Sequence, residues 1–341
     1  MQDYNMMYEK VYHTEPLSDK SFLITGGAGF IGSNLTEYLI RHGAKKVRVL
    51  DNLSTGFYKN IEPYVGLTNF EFIEGDIREL ETCKSALANV DYVSHQAALG
   101  SVPRSIADPV TTNEVNISGF LNILLAVKDT PGIKRMVYAA SSSTYGDNPI
   151  LPKVEGNEGS PLSPYAVTKL VNELYADVFD KVYGLKTIGL RYFNVFGPKQ
   201  NPKGLYAAVI PLFIEKALKN QAPIINGDGE TSRDFTFIEN AVQANIKAML
   251  TTELDKNEVI NIAFGERTTL NELWDSICDI IQVEIKPDYQ DERKGDVKHS
   301  LADINKASRL INYKPEFSVL QGLKISINWY KENGVDFVSK V

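Results

Sequence analysis

From Ser21 onward, short runs rich in β-branched residues alternate with longer helical patterns. The runs fall at residues 22–25, 47–51, 70–74, 92–96, 136–140 and 187–192. The segments between them are mostly long enough for crossover helices. Such alternation predicts a parallel sheet with helices on both faces, an α/β doubly wound architecture. Strands of this kind are buried on both sides, which suits continuous apolar runs such as VYAAS and IGLRYF. Residues 1–20 are polar and irregular, and read as a short extension packed on the surface.

After Asn194 the texture changes. Gly and Pro become frequent and the regular alternation stops, which predicts a smaller C-terminal α/β unit over the carboxyl ends of the strands. Within it, TFIENAVQANIKAML reads as a helix and VINIAFG as a strand, both returning to the first unit. The predicted division is therefore 1–193 with 236–264 for one domain, and 194–235 with 265–341 for the other. No long linker separates them, so the two are expected to be tightly apposed.

Composition narrows the function. The chain has 341 residues, 43% hydrophobic and 23% charged, as an ordinary globular protein does. A formal net charge of -7 argues against a nucleic-acid partner, because phosphate backbones need clustered Lys and Arg. No apolar run approaches the ~18 residues of a membrane span, and no secretory leader pattern is visible. Cys83 and Cys278 are far apart and read as reduced thiols of a cytoplasmic protein. The four histidines are scattered, with no metal-ligand spacing.

Two stretches carry candidate chemistry. Residues 25–33 read TGGAGFIGS, so Gly26, Gly29 and Gly32 directly follow a strand and open a helix. Glycines there permit a tight turn and close backbone approach, so that a pyrophosphate can sit on the helix N-terminus. Asp51 ends the next strand, where a carboxylate binds adenosine ribose hydroxyls and repels a 2′-phosphate, favouring NAD over NADP. Asp76 in EGDIR, at another strand end, reads equally as an adenine contact or as a helix N-cap. The second stretch, SPYAVTK, spaces Tyr165 and Lys169 four apart on one helix face. A neighbouring ammonium favours the phenolate. Lowering a tyrosine from about 10 to about 7 takes roughly 4 kcal/mol and yields a base poised near neutrality. Upstream, Ser141, Ser142 and Ser143 end a strand at the edge where open α/β sheets place ligands.

The ordered motifs TGGAGFIG, HQAALGSVPRS, SSSTYG, SPYAVTK, RYFNVFGP and SRDF resemble the extended short-chain dehydrogenase/reductases, a Rossmann-type superfamily. Within it they resemble the UDP-hexose 4-epimerases, and most closely the bacterial UDP-N-acetylglucosamine 4-epimerases of surface-polysaccharide pathways. The likeness runs from about Ser21 to the C-terminus. It implies transient oxidation at the sugar C4 by bound NAD, with Tyr165 as base, Lys169 tuning it, Ser141 on the same hydroxyl and Ser143 nearby. It implies further NAD contacts at Phe30, Ile31, Asn52, Ser54, Gly56, Asp76, Ile77, Gln96, Ala97, Ala98 and Asn116. For the UDP-sugar it implies Gly100, Ser101, Ser141, Ser142, Ser143, Tyr165, Asn194, Val209, Arg233, Arg293, Asp296 and Ser300. Arg233 and Arg293 supply the positive charge a diphosphate requires, or else surface ion pairs; Asp296 is the family's ribose carboxylate, or else a turn residue. Glucose/galactose epimerases carry a Lys aligned with Gly100 and a Tyr aligned with Ser300. The smaller residues here leave room for a 2-acetamido group.

Three rivals remain. The 4,6-dehydratases add an Asp–Glu pair where this chain has Ser143 and Thr144, so their acid and base are missing. Uronate epimerases need one added basic contact, for which Arg104 is available. NAD-sensing scaffolds of the superfamily typically lose the Tyr or Lys that this chain keeps. Relatives also dimerise through the helix led by Tyr165 and the one near 110–127, both rich in apolar residues here, so a homodimer is expected.

Overall fold

The computed structural model describes residues 7–203, 208–252, 254–292 and 298–335. The six predicted runs form strands β1 (Ser21–Thr25), β2 (Lys46–Asp51), β3 (Phe70–Glu74), β4 (Tyr92–His95), β5 (Arg135–Ser141) and β6 (Thr187–Tyr192). A seventh strand, Glu258–Ile262, adds beside β6. The order across the sheet is Glu258–Ile262, β6, β5, β4, β1, β2, β3, and every pairing is parallel. Chain order reverses between β1 and β4, which opens a crevice at their carboxyl ends, the usual ligand position in such sheets. β1 is buried along its whole length, as a strand covered on both faces must be.

The predicted returning helix spans Ile238–Leu250 and is almost entirely buried against the sheet. The remaining C-terminal residues build short elements over the strand ends. Ile224–Asn226 pairs with Asp288–Gln290, and Ser232–Arg233 pairs with Thr268–Thr269. These do not have a separate core. Ile24 and Val49 of the sheet belong to the same hydrophobic cluster as Phe213, Trp274 and Trp329. No helix of the described residues is long and apolar enough to cross a membrane.

The N-terminal segment is packed on the fold, more deeply than its polar composition suggests. Met7, Tyr8, Tyr12 and Leu17 are buried. The Tyr12 ring stacks on Tyr38 with centroids 5.5 Å apart, and its hydroxyl donates to Glu239 at 2.9 Å. The Tyr12 backbone N–H donates to the Tyr38 hydroxyl at 2.7 Å. Aromatic side chains with paired hydroxyls fasten this irregular segment without any periodic pattern. Burial pushes the Glu239 carboxyl up to about 7. Tyr12→Ala is expected to cost about 3 kcal/mol, the usual loss for a large buried aromatic. Urea unfolding should show a lower midpoint at unchanged slope; an unchanged midpoint would mean that the segment is not docked.

Candidate active site

The turn after β1 is built by backbone contact. Gly26 has φ +67, and a Cβ there would lie 2.7 Å from the Ala97 nitrogen. A Cβ on Gly32 would lie 2.2 Å from the Gly26 carbonyl oxygen. Only glycine fits either place. Gly29 caps the helix Phe30–Arg41 without any side-chain hydrogen bond, so the positive end of that helix faces an open crevice. Asp51, at the end of β2, accepts from the Ala28 N–H at 2.9 Å and the Leu53 N–H at 2.8 Å. Burial raises its pKa and these two donors oppose the rise. A cradle without Cβ atoms, an uncapped helix N-terminus and a carboxylate beyond it fit the pyrophosphate and ribose of a dinucleotide.

Of the two readings of Asp76, the helix cap is excluded, because the helix Leu80–Ala86 is capped at Glu79. Asp76 lines the crevice instead, holding Arg78 and the Asn52 side chain, which donates at 2.9 Å. The Arg78 guanidinium holds its carboxyl down at about 2.

The second half of the site hangs on one helix. Ser163 caps it, Pro164 starts it, and it runs Pro164–Tyr183. Tyr165 and Lys169 face the crevice from its first turns, opposite Ser141 at the end of β5. Ser141 lies beside the Tyr165 hydroxyl and opposes the upward push of burial on it, but burial wins, so in this structure the phenol stands above its usual value instead of being lowered as the Tyr165–Lys169 spacing predicts. The Ser143 hydroxyl donates to the Ser141 Oγ at 2.9 Å and aims it. Lys169 is buried and its Nζ donates to the Ala139 carbonyl at 2.7 Å. Burial lowers this ammonium to about 8, with Glu173 one turn further on pulling it back up.

One cavity of about 850 Å³ joins the two halves. It is lined by Gly26, Gly29, Phe30, Ile31, Gly32, Asp51, Asn52, Ser54, Gly56, Asp76, Ile77, Gln96, Ala97 and Ala98 on one side. Gly100, Ser101, Ser141, Tyr165, Lys169 and Asn194 line the other. Arg104 lines it as well. Asn116 and Ser143 stand behind this surface. Asn116 accepts from the Leu99 N–H at 2.8 Å and donates to Thr168 at 3.1 Å, tying the 97–101 loop to the Tyr165 helix. Ser142, Val209, Arg233 and Ser300 are also not among the lining residues. Arg233 donates to the Ser232 and Lys298 carbonyls, and the Ser300 N–H donates to the Ser232 carbonyl at 3.1 Å. Arg293 and Asp296 lie outside the described residues.

Sequence reasoning missed Ser105, whose Oγ accepts from the Tyr165 backbone N–H at 3.0 Å. It also missed Tyr192, which lines the cavity at the end of β6. The position of Tyr192 at a strand's carboxyl end was a usable signal; Ser105 closes the motif HQAALGSVPRS, but nothing local shows its partner, which is 60 residues away.

Comparison with known proteins agrees with this arrangement. The model of the NAD dependent epimerase/dehydratase family matches residues 22–263. The chain is 40% identical over 313 residues to a putative UDP-glucose 4-epimerase of Methanocaldococcus jannaschii, covering 91% of this chain and 98% of that protein. It is 34% identical to a UDP-glucuronate 4-epimerase of Thermodesulfobacterium geofontis, covering 92% and 96%. Among solved structures it is similar to the UDP-N-acetylglucosamine 4-epimerase of Methanobrevibacter ruminantium in complex with UDP-N-acetylmuramic acid. That match has a TM-score of 0.86 at 41% identity and covers 92% of this chain and 99% of the other. With its glycine turn, its Asp51 and its Ser141–Tyr165–Lys169 set gathered on one cavity, the chain belongs to the NAD dependent epimerase/dehydratase family, among its UDP-sugar 4-epimerases.

Proposed function

We propose that the protein interconverts UDP-N-acetylglucosamine and UDP-N-acetylgalactosamine by inverting C4. The observation that carries the N-acetyl preference is the space around Gly100. This residue lines the cavity, and a Cβ placed on it would meet nothing within 4 Å. A 2-acetamido group needs such room. Residues 194–235 and 265–341 are assigned to the nucleotide sugar, with Arg233, Arg293 and Asp296 on the diphosphate and ribose. Residues 1–193 and 236–264 are assigned to NAD.

NAD, when bound, supplies a reversible acceptor for the hydrogen on C4, so no net redox change remains after a cycle. The chain's own groups manage the proton. Tyr165 removes it from the sugar O4 and later returns it, Ser141 hydrogen-bonds the same oxygen, and Lys169 stabilises the phenolate. What supports that role is an ammonium 5.9 Å from the Tyr165 ring centre, lowered by burial to about 8 and so still charged at neutral pH. Phenylalanine at position 165 keeps the ring but removes the acceptor. Tyr165→Phe is therefore expected to lower kcat by about 10²–10⁴ while leaving bound NAD and substrate affinity nearly unchanged. Near-normal turnover would remove Tyr165 from the role of base.

A second reading, a uronate 4-epimerase, has one observation in its favour: Arg104 is among the residues lining the cavity. Steady-state assays on UDP-Glc, UDP-GlcNAc and their two uronic acids decide between them. The expected order of kcat/KM puts UDP-GlcNAc first, with weaker activity on UDP-Glc. A uronate in first place would replace the N-acetyl reading.

We also propose a homodimer. Val167, Leu174, Val178 and Val182 are exposed on one face of the helix Pro164–Tyr183, with Ile106 and Val110 exposed on neighbouring helices. A contiguous apolar stripe of this kind marks a contact surface, and a two-fold pairing buries it on both copies at once. Light scattering at low micromolar concentration should give about twice the chain mass; a monomer alone would overturn this assignment.

A further inference from the structure

Asp234 is fully buried, and its carboxylate touches two separate stretches of chain. It accepts from the Phe264 N–H at 3.0 Å and from the Gly265 N–H at 3.1 and 3.2 Å, where the chain leaves the edge strand Glu258–Ile262. It accepts from the Ala302 N–H at 3.2 Å. Its own carbonyl accepts from the Asn194 side chain at 3.1 Å, at the exit of β6. The preceding residues reinforce the same joint. The Ser232 N–H donates to the Lys298 carbonyl at 3.0 Å, and the Ser232 Oγ lies 2.8 Å from the His299 Nδ1. Three regions distant in sequence thus meet on residues 232–234.

The chemistry explains why an aspartate stands there. A carboxylate offers two oxygens and only accepts, so it can hold three N–H groups together. An asparagine offers one oxygen and would turn its own N–H₂ toward donors. A buried carboxylate costs more than a neutral side chain, and burial pushes this one up to about 7. The fold bears that cost at the junction between the strand ends and the 298–302 segment.

We propose that Asp234 is a positioning residue for the nucleotide sugar, holding the 264–265 turn and the 298–302 segment against Asn194, which lines the cavity. This rests on the reading that Asn194, which lines the cavity, faces the substrate. Asp234 touches neither the glycine turn nor Tyr165, so its loss should separate substrate binding from cofactor binding and from the proton step.

The test compares Asp234→Asn and Ser232→Ala with the wild-type protein at about pH 8, where the carboxyl is mostly ionised. UDP affinity by calorimetry, KM and kcat with UDP-GlcNAc, bound NAD per chain and Tm are measured. Asp234→Asn is expected to weaken UDP binding and raise KM about tenfold or more, the scale of losing hydrogen bonds to a charged group. Its kcat should stay within about threefold and its NAD content should not change. Ser232→Ala loosens the same joint without altering Asp234, and should raise KM a few-fold with kcat unchanged; it decides the matter if Asp234→Asn does not fold. Unchanged UDP affinity and KM in both variants, or a parallel loss of NAD, kcat and Tm, would overturn the proposal. A wild-type protein that neither binds UDP nor turns over UDP-sugars would instead overturn the underlying substrate reading.

Discussion

A hydrogen bond from a buried cation holds the geometry of the candidate site: the Lys169 ammonium on the Ala139 carbonyl. It fastens the helix Pro164–Tyr183 to β5 just before Ser141, and so fixes Tyr165 opposite that hydroxyl. A buried cation is expensive unless it is paired. Here the next turn of the same helix supplies Glu173, and Glu173 is held in turn by Arg191 of β6, with Nε donating at 2.9 Å and Nη2 at 2.6 Å. Arg191 also pairs with Glu158. Charges of alternating sign therefore run from the cavity wall into the fold. Burial and Glu173 act in opposite directions on Lys169, and their balance leaves it cationic yet close to neutrality.

The cofactor half of the site depends on a different constraint, the close approach of backbone to backbone. Between Gly26, Gly32 and the Gln96–Ala97 peptide there is no space for a Cβ. This closeness brings the start of the helix Phe30–Arg41 to the switch point of the sheet, where β1 and β4 diverge. An anion there meets an uncapped helix end rather than a side chain, so the site needs no lysine or arginine of its own in this turn. An acidic chain can bind a pyrophosphate on those terms.

Much of this was legible in the sequence. The six strands, the glycine spacing, Asp51 at its strand end and the four-residue step from Tyr165 to Lys169 are all local features. Each follows from residue type and short-range periodicity, which the chain enforces on itself whatever the rest of the fold does. The helix Ile238–Leu250 and the strand after it were legible for the same reason.

Tertiary structure alone decided the rest. It placed Asn116 and Ser143 behind the cavity surface as supports, and decided between the two readings of Asp76 by putting it on the crevice wall. It docked the irregular N-terminal segment on Tyr38 and Glu239, more than 200 residues apart in the chain. It joined Asn194, Asp234, Phe264 and Ala302 at one point. None of these has a period or a fixed offset. They are hydrogen bonds of buried polar groups, whose partners are set by which segments pack together, and that choice belongs to the whole core rather than to any stretch of sequence.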